Sequence, residues 1–385
     1  MTIRIRIPGR GAAGPRRSSI AARRRSIPGW ADAPRAERCG QMSLPVSNSN
    51  QPFAPPAPAA AGEIPSRYQL ADLGTAPDGL PLIPVALNDA GHVAVYGQPA
   101  AERTRHLDVR GYLLQHRRCF EQVVLRGGLP VLALSANDIV AGQQRSAPGG
   151  PPQAWASHLG AFGARHWRAA ESSATGVNRR GLVVGHVAFE ESGRIARRVF
   201  AVDMNWEPIF LDPPHTWNAG AMAVNDAGVV LINGACGWFE VDMRTWLWRG
   251  NEFVPVPGIA GGGTWGSALT PEGRVVGRLI MHRGGMSAFL HHEGVTQALN
   301  PGPGYSSEAL AANDQPIVVG RMLDPEGRRH AFRWTVVDGM RRLAELVPDA
   351  HGWTFQKAVA INAGGQIAGT GVFAGERRGF LLTPA

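Results

Sequence analysis

The chain contains the stretch Ala223-Val224-Asn225-Asp226-Ala227-Gly228-Val229-Val230, in which two short apolar runs flank an Asn-Asp-x-Gly turn sequence. Asn and Asp side chains bond to nearby backbone groups, and Gly takes positive φ without steric cost, so the stretch predicts a tight β-hairpin. Similar turns recur every 41 to 49 residues, close to the length of a four-stranded propeller blade, about 40–45 residues. We name the first residue of each turn the turn anchor and identify seven anchors: Asn88, Asn137, Asn178, Asn225, Thr270, Asn313 and Asn362.

Each repeat can be divided into four strands, most plainly in the sixth repeat at 309–312, 317–320, 330–334 and 340–346. The segments between anchors lack the 3.6-residue apolar period of helical repeats. The seventh repeat has no fourth strand of its own, and residues 68–74 show the fourth-strand pattern ahead of the first repeat. We therefore predict an all-β, seven-bladed β-propeller over residues 66–385, with the N-terminal strand closing the last blade. A six-bladed ring with one degenerate repeat and a β-solenoid are the alternatives.

The repeats resemble the bacterial HAF repeat, which is described as an extracellular repeat. The resemblance rests on the pattern Ala/Val-Ile/Val-Asn-Asp-x-Gly-x-Val-Val-Gly, on His330-Ala331-Phe332 before Arg333-Trp334, and on Asp72-Leu73-Gly74, and it covers about residues 68–382. It implies a repeat fold and an extracellular or periplasmic location, and it carries no catalytic residue over to this chain. The second, third and fourth repeats depart from the pattern. The second lacks the turn glycine, the third has Arg179 in place of the Asp, and the fourth has extra residues around 244–249.

The N-terminal segment differs in composition from the repeats. Residues 1–41 carry a net charge of +8 of the total +9, and residues 42–65 are rich in Pro and Ala, so we expect residues 1–65 to be disordered. The nearly neutral remainder predicts no nucleic-acid partner for the folded domain, although the arginine-rich tail is an alternative nucleic-acid site. No apolar run is long enough for a membrane span, and no apolar core of a signal peptide follows the basic segment. Met42 is an alternative start.

The sequence contains no motif that establishes catalysis or metal binding. Calcium loops need several converging oxygen ligands, whereas each turn offers one Asp at most, so Asx-turn bonding is the favoured role of the turns. Adjacent His291 and His292 would point to opposite faces of a strand, and we interpret them as part of a solvated turn at a strand end. Gly-x-Ser-x-Gly and the P-loop are absent. We predict no metal and no cofactor. Catalytic residues cannot be named.

Two residue types are scarce. Lys357 is the only lysine, which we attribute to codon bias. The three cysteines, Cys39, Cys119 and Cys236, form neither a zinc motif nor a disulfide framework; we interpret Cys119 and Cys236 as two buried thiols, and a bridge between them is the alternative.

The connections that lead into the first strand of several repeats carry aromatic residues. Rings at the mouth of a propeller channel could stack on sugars or peptides, or they could fill gaps between blades. We predict a non-catalytic, monomeric propeller that binds a glycan or peptide at the channel mouth, and the alternative is a glycan-active hydrolase or lyase using the same face. The predicted ligand-binding residues are Trp217, Trp265, Tyr305 and Trp353, with His215 and His351 beside two of them.

Overall fold

The computed structural model describes residues 64–385 except 77–78, 98–110, 116–118, 122–130, 146–149, 163–166, 168, 192–193, 206–207, 238–241 and 282–284. The expected disorder of residues 1–65 falls outside the described residues, apart from Ile64 and Pro65. The side chain of Cys119, the one candidate disulfide partner of Cys236, also lies outside them.

The described chain forms seven antiparallel sheets of four strands each, as the repeat length predicts. The first strand of each sheet contacts the first strand of the next sheet, so these strands surround a central channel. The first four blades contain β2 (Leu82–Leu87), β3 (Val93–Gly97), β4 (Gly111–Gln115) and β5 (Cys119–Glu121); β6 (Val131–Leu134), β7 (Val140–Arg145), β8 (Pro152–Ala156) and β9 (Gly160–Phe162); β10 (Glu171–Val177), β11 (Val183–Glu191), β12 (Arg194–Val202) and β13 (Ile209–Leu211); and β14 (Asn218–Val224), β15 (Val230–Ala235), β16 (Met243–Arg249) and β17 (Glu252–Val256). The last three contain β18 (Gly263–Leu269), β19 (Val275–Ile280), β20 (Met286–His292) and β21 (Val295–Leu299); β22 (Ser306–Ala312), β23 (Val318–Leu323), β24 (Arg329–Thr335) and β25 (Gly339–Arg342); and β26 (Trp353–Ile361), β27 (Ile367–Phe373), β28 (Glu376–Pro384) and β1 (Tyr68–Asp72).

Two sequence-based strand limits need correction. The residues around 244–249 are not an insertion, because β16 is the regular third strand of the fourth blade. The last strand of the sixth blade ends at Arg342 rather than 346, and a 3-10 helix, Leu343–Glu345, follows it and buries Leu343. The burial of this leucine explains why the apolar pattern continued past the strand.

The N-terminal strand closes the ring, which confirms the predicted fold. β1 pairs with β28 from Tyr68 opposite Pro384 to Asp72 opposite Phe380. Asp72 accepts hydrogen bonds from the Gly74 N–H at 2.8 Å and from Arg378 Nη1 at 3.0 Å. Because β1 pairs with the outer edge of β28, the backbone N–H and C=O groups of that edge are not left exposed.

The hairpins between first and second strands share one geometry. The backbone N–H of Asn225 donates to the Val229 carbonyl at 3.1 Å, and the Val229 N–H donates to Asn225 Oδ1 at 3.0 Å. In the second blade, Ser135 holds this position, because the Ile139 N–H donates to Ser135 Oγ at 2.9 Å. The assignment of Asn137 as turn anchor is therefore wrong by two residues. Asp138 at φ 63° occupies the left-handed position that glycine holds in most of the other turns.

The turn anchors also bond from blade to blade. Asn178 Nδ2 donates to the Asn225 carbonyl at 3.0 Å, and Asn225 Nδ2 donates to the Thr270 carbonyl at 3.2 Å. Ser135 and Thr270 lack an amide, and at these two junctions Asn137 Nδ2 donates to the Arg179 carbonyl and Arg274 Nη1 to the Asp314 carbonyl. The remaining pairs are Asn88 to Ser135, Asn313 to Asn362 and Asn362 to Asn88. We call this closed ring of seven junctions the amide belt.

The Asp of the turn motif bonds in the opposite direction. Asp226 Oδ1 accepts the Arg179 N–H of the preceding blade at 3.0 Å, and Asp89 Oδ1 accepts the Ala363 N–H at 2.8 Å. In the first and fourth blades the Asn-Asp pair therefore joins the blade to both of its neighbours. Asx-turn bonding is present as expected, and the inter-blade bonds are a second role that the sequence did not reveal.

The His-Ala-Phe segment also has a packing explanation. Ala331 and Phe332 are buried in two different clusters, one toward the seventh blade and one toward the fifth. His330 Nε2 lies 2.9 Å from Asp324 Oδ2 and secures the loop between β23 and β24. Gly320 lies against the Phe332 ring, where a Cβ would approach ring atoms to 2.9 Å, so a glycine is needed there.

Candidate functional site: the loop end of the central channel

The two ends of the channel carry different connections. The amide belt lies at the end where first strands lead into second strands. Because the strands are antiparallel, the connections into the first strands lie at the other end, together with those between second and third strands. We call this other end the loop end. All six predicted ligand-binding residues lie in or near its connections.

Three of these six residues are exposed at the loop end. Trp217, directly before β14, has 48% of its surface exposed. His215 and His351 are exposed as well, and His215 adopts φ 59° in its connection. An indole ring that is half exposed presents a flat apolar face next to solvent, which is the arrangement that stacking on a ligand requires.

Two other aromatic residues pack into the protein. Trp353 is the first residue of β26, and its ring stacks on Phe373 with centroids 5.4 Å apart and on Phe355 at 6.0 Å. Tyr305 packs against the cluster between the fifth and sixth blades and accepts a hydrogen bond from Arg342 Nη2 at 3.4 Å. These contacts favour the alternative role for both rings, in which aromatic residues fill gaps between blades.

Trp265 lies deeper in the channel than the other aromatics. It is the third residue of β18 rather than part of a connection, so the sequence-based placement needs correction. The guanidinium carbon of Arg278 lies 5.3 Å from its ring centroid, within range of a cation–π interaction.

One level of the channel differs from blade to blade. It comprises the residue five positions before each turn anchor and its cross-strand partner eight positions after the anchor. We call this level the channel ring. The first-strand members are Ile83, Ser173, Gly220, Trp265, Glu308 and Lys357, with residue 130 outside the described residues; the second-strand members are Tyr96, Gln143, His186, Asn233, Arg278, Arg321 and Thr370.

The charged members of the channel ring converge in the fifth to seventh blades. Arg278 Nη1 donates to Glu308 Oε1 at 2.6 Å, and Arg321 Nε donates to Glu308 Oε2 at 2.8 Å. The Glu308 side chain is only 9% exposed, whereas the Arg321 side chain is 45% exposed. The carboxylate is therefore held between two guanidinium groups, and Arg321 remains open to solvent.

Lys357 belongs to the same charged cluster. Burial lowers the pKa of its ammonium group, Arg321 and Arg377 lower it further, and Glu308 acts in the opposite direction. Among the described residues, its ammonium group makes no hydrogen bond or ion pair. The only lysine of the chain is thus a half-buried cation in the channel wall. Codon bias alone does not account for a lysine in this position.

The third and fourth blades present mostly neutral groups to the channel ring. Burial, reinforced by Arg197, lowers the pKa of His186 to about 4 despite the opposing charge of Glu171, so the imidazole is neutral near pH 7. Asn233 Nδ2 donates to the Gly266 carbonyl at 2.8 Å, and its Oδ1 accepts from Thr245 Oγ1 at 2.7 Å. The channel ring therefore has a cationic side and a neutral side.

His291 does not lie in a solvated turn as expected. It is a buried member of β20, with Nδ1 at 2.9 Å from Thr296 Oγ1, and burial together with His292 lowers its pKa to about 4. In the described part of the chain, no group of three His, Cys, Asp or Glu side chains is placed to hold a metal ion. The described residues also include no helix with the length and apolarity needed to span a bilayer.

Comparison with known proteins supports the fold. No protein-family model matches the sequence, and no curated protein matches it. The β-propeller domain of the Trilobed protease from Pyrococcus furiosus is 10% identical over 78% of this chain and 95% of its own, with a TM-score of 0.51. This chain is a β-propeller. The Pyrococcus furiosus domain has an open velcro topology, whereas β1 closes the ring here.

Two further solved structures align less closely. The acylaminoacyl peptidase of Pyrococcus horikoshii is 10% identical over 78% of this chain, with a TM-score of 0.48, and this chain spans 52% of the peptidase chain. The Aleuria aurantia lectin in complex with Fucalpha1-6GlcNAc is 11% identical over 66% of this chain and 93% of its own, with a TM-score of 0.34.

The charged members of the channel ring were not predicted from the sequence. Alignment of the repeats on their turn anchors would have shown Trp265, Glu308 and Lys357 in one column, five residues before the anchor. The column is hard to recognise because Ser135 replaces Asn as the anchor of the second blade and because its members share no residue type.

Proposed function

We propose that the chain is a non-catalytic binding propeller whose ligand enters at the loop end and contacts the channel ring. One observation carries the proposal: the channel ring varies between blades while the neighbouring level repeats. Of the seven residues that follow the ring in the first strands, five are Ala or Gly, and the other two are Pro84 and Val131; the five are Ala174, Ala221, Gly266, Ala309 and Ala358. A repeat frame that keeps its packing positions and varies one channel level presents a ligand-specific surface.

The arrangement of Glu308 favours binding over hydrolysis. Glycan-cleaving enzymes that use two carboxyl groups hold them about 5–10 Å apart. In the described channel ring, Glu308 is the one carboxylate, and Arg278 and Arg321 occupy its two oxygens. A carboxylate held in this way is not positioned to exchange a proton with a bound substrate.

Membership of the HAF-repeat family and a location outside the cytoplasm form the second part of the proposal. The support is that the residues of the resemblance have defined structural roles. Asn225 and Asp226 join neighbouring blades, and Ala331 and Phe332 fill the space on both sides of one blade. Cell fractionation of the source organism with an antibody against the chain tests the location, and recovery only in the cytoplasm would contradict it.

A glycan and peptide array probed with the full chain tests the binding function. We expect selective capture of a small set of ligands, weakened about fivefold by Trp265→Ala, because stacking on an aromatic ring contributes on the order of 1 kcal/mol. Val337→Ala, in an exposed turn between β24 and β25, is the matched control and should bind as the parent does. Capture that is equally strong in both variants, or no capture at all, would contradict a ligand site in the channel ring.

A further inference from the structure

The charged side of the channel ring carries more positive than negative charge. Arg278, Arg321 and Lys357 supply three cations, and Glu308 supplies the one described carboxylate among them. Arg377 adds a further positive charge within electrostatic range of Lys357. An excess of positive charge inside a partly enclosed channel attracts an anion more strongly than the same charges on an open surface, because solvent screens it less.

Two donors of this cluster lack partners. The ammonium group of Lys357 makes no hydrogen bond among the described residues, and the buried Nε of Arg278 makes none either. Arg333, which is 1% exposed, also has an unpaired Nε, but its two terminal nitrogens donate to Asp338 and to the Pro65 carbonyl. The ammonium group of Lys357, on a half-buried side chain, therefore keeps its donors available for a ligand.

Glu308 accepts hydrogen bonds from Arg278 and Arg321 and none from Lys357. Its Oε1 accepts from Arg278 and its Oε2 from Arg321, so both guanidinium groups are fixed in direction before any ligand arrives. Donors that are already oriented bind an anion with a smaller loss of side-chain entropy. Beside them, the indole ring of Trp265 provides a flat apolar surface under Arg278.

We propose that this side of the channel ring binds a carboxylate-bearing sugar, with Lys357 and Arg321 contacting the carboxylate and Trp265 contacting the sugar ring. The inference rests on the proposed binding function and specifies its ligand class. A carboxylate matches the cation pair, since charge-assisted hydrogen bonds from Arg and Lys to carboxylates are among the stronger ones. A sugar matches the indole, because the apolar face of a pyranose stacks on flat aromatic rings.

Titration calorimetry with the full chain tests the proposal. The probes are oligogalacturonate and its neutral counterpart, oligogalactose, together with acetate as a bare carboxylate and an acidic peptide. We expect the acidic sugar to bind at least tenfold more tightly than the neutral sugar, acetate or the peptide. Lys357→Met should remove about tenfold or more of that affinity, and Lys357→Arg should restore most of it. Arg341→Gln, an exposed arginine on β25, is the control and should leave binding unchanged.

Thermal melting of the same variants separates a binding lysine from a structural one. Lys357→Met should melt at the same temperature as the parent or higher, because it removes a half-buried charge that has no partner. A lower melting temperature would overturn the proposal. Equal affinity for the acidic and neutral sugars, or tighter binding of acetate or the peptide, would overturn the ligand class and leave the binding function standing. If no probe binds and the array is also empty, both proposals fail.

Discussion

Asn225→Asp tests whether the amide belt stabilises the ring. The two side chains have nearly the same shape, and either can accept the Val229 N–H through Oδ1. Only Asn can donate to the carbonyls of Thr270 and Pro271, both 3.2 Å from its Nδ2. The substitution therefore keeps the hairpin bond and places a second carboxylate oxygen against two carbonyl oxygens in a buried position.

The expected loss follows from these contacts. Removing the inter-blade bond alone costs about 0.5–1.5 kcal/mol, and burying a carboxylate oxygen without a donor adds about 1–3 kcal/mol. We therefore expect Asn225→Asp to lower the free energy of unfolding by about 2–4 kcal/mol. Asn225→Ser keeps an acceptor, as Ser135 does in the second blade, and should lose only the smaller amount.

Urea unfolding monitored by tryptophan fluorescence measures both losses as shifts of the midpoint at unchanged slope. Asn300→Asp is the matched control, because Asn300 is exposed and its Oδ1 accepts only the local Gly302 N–H at 2.9 Å. It should change the unfolding free energy by less than about 0.5 kcal/mol. If Asn225→Asp proved as mild as this control, the belt would add nothing to the hairpin and the reasoning would be refuted.

Three further outcomes are expected. Deleting residues 1–75, which removes β1, should lower the melting temperature and increase light scattering, because β28 becomes an open edge. Deleting residues 1–63 should change neither quantity. Identical melts of the two truncated chains would contradict closure by β1. Trp353→Ala should cost about 3–5 kcal/mol in thermal melts and Trp217→Ala clearly less, since the first ring stacks on Phe373 and the second is 48% exposed; equal costs would contradict this assignment. His186 and His291 have folded pKa values of about 4, below the unfolded value near 6.5, so the unfolded chain takes up protons first. Stability should be full above pH 6.5 and fall by about 1–3 kcal/mol per histidine toward pH 4, and pH-dependent melts of His186→Gln and His291→Gln should show a smaller fall.

The repeat frame could be predicted because it rests on local patterns. The Asn-Asp-x-Gly turns fix the hairpins between first and second strands, and their spacing gives the blade length. The unpaired last repeat and the fourth-strand pattern at 68–74 required closure, and β1 pairs with β28 accordingly. The anchor of the second blade was misplaced for a physical reason as well. Ser135 supplies the same acceptor oxygen as Asn, and the adjacent Asn137-Asp138 imitates the motif.

The candidate site could not be predicted in the same way because it is assembled across blades. Trp353 and Trp217 look alike as loop aromatics, yet Trp353 stacks on two phenylalanine rings and is partly buried, whereas Trp217 is 48% exposed.

The sequence by itself determined the turns, the blade length, the number of blades and the strand that closes the ring. Each of these depends on residues close together in the chain or on a simple count of strands. Only the tertiary structure decided that Arg278, Glu308 and Lys357, one from each of three blades, share one level of the channel. The physical reason is that the sheet register sets the depth of a side chain and the closed ring sets its neighbours. Neither is a property of any single repeat.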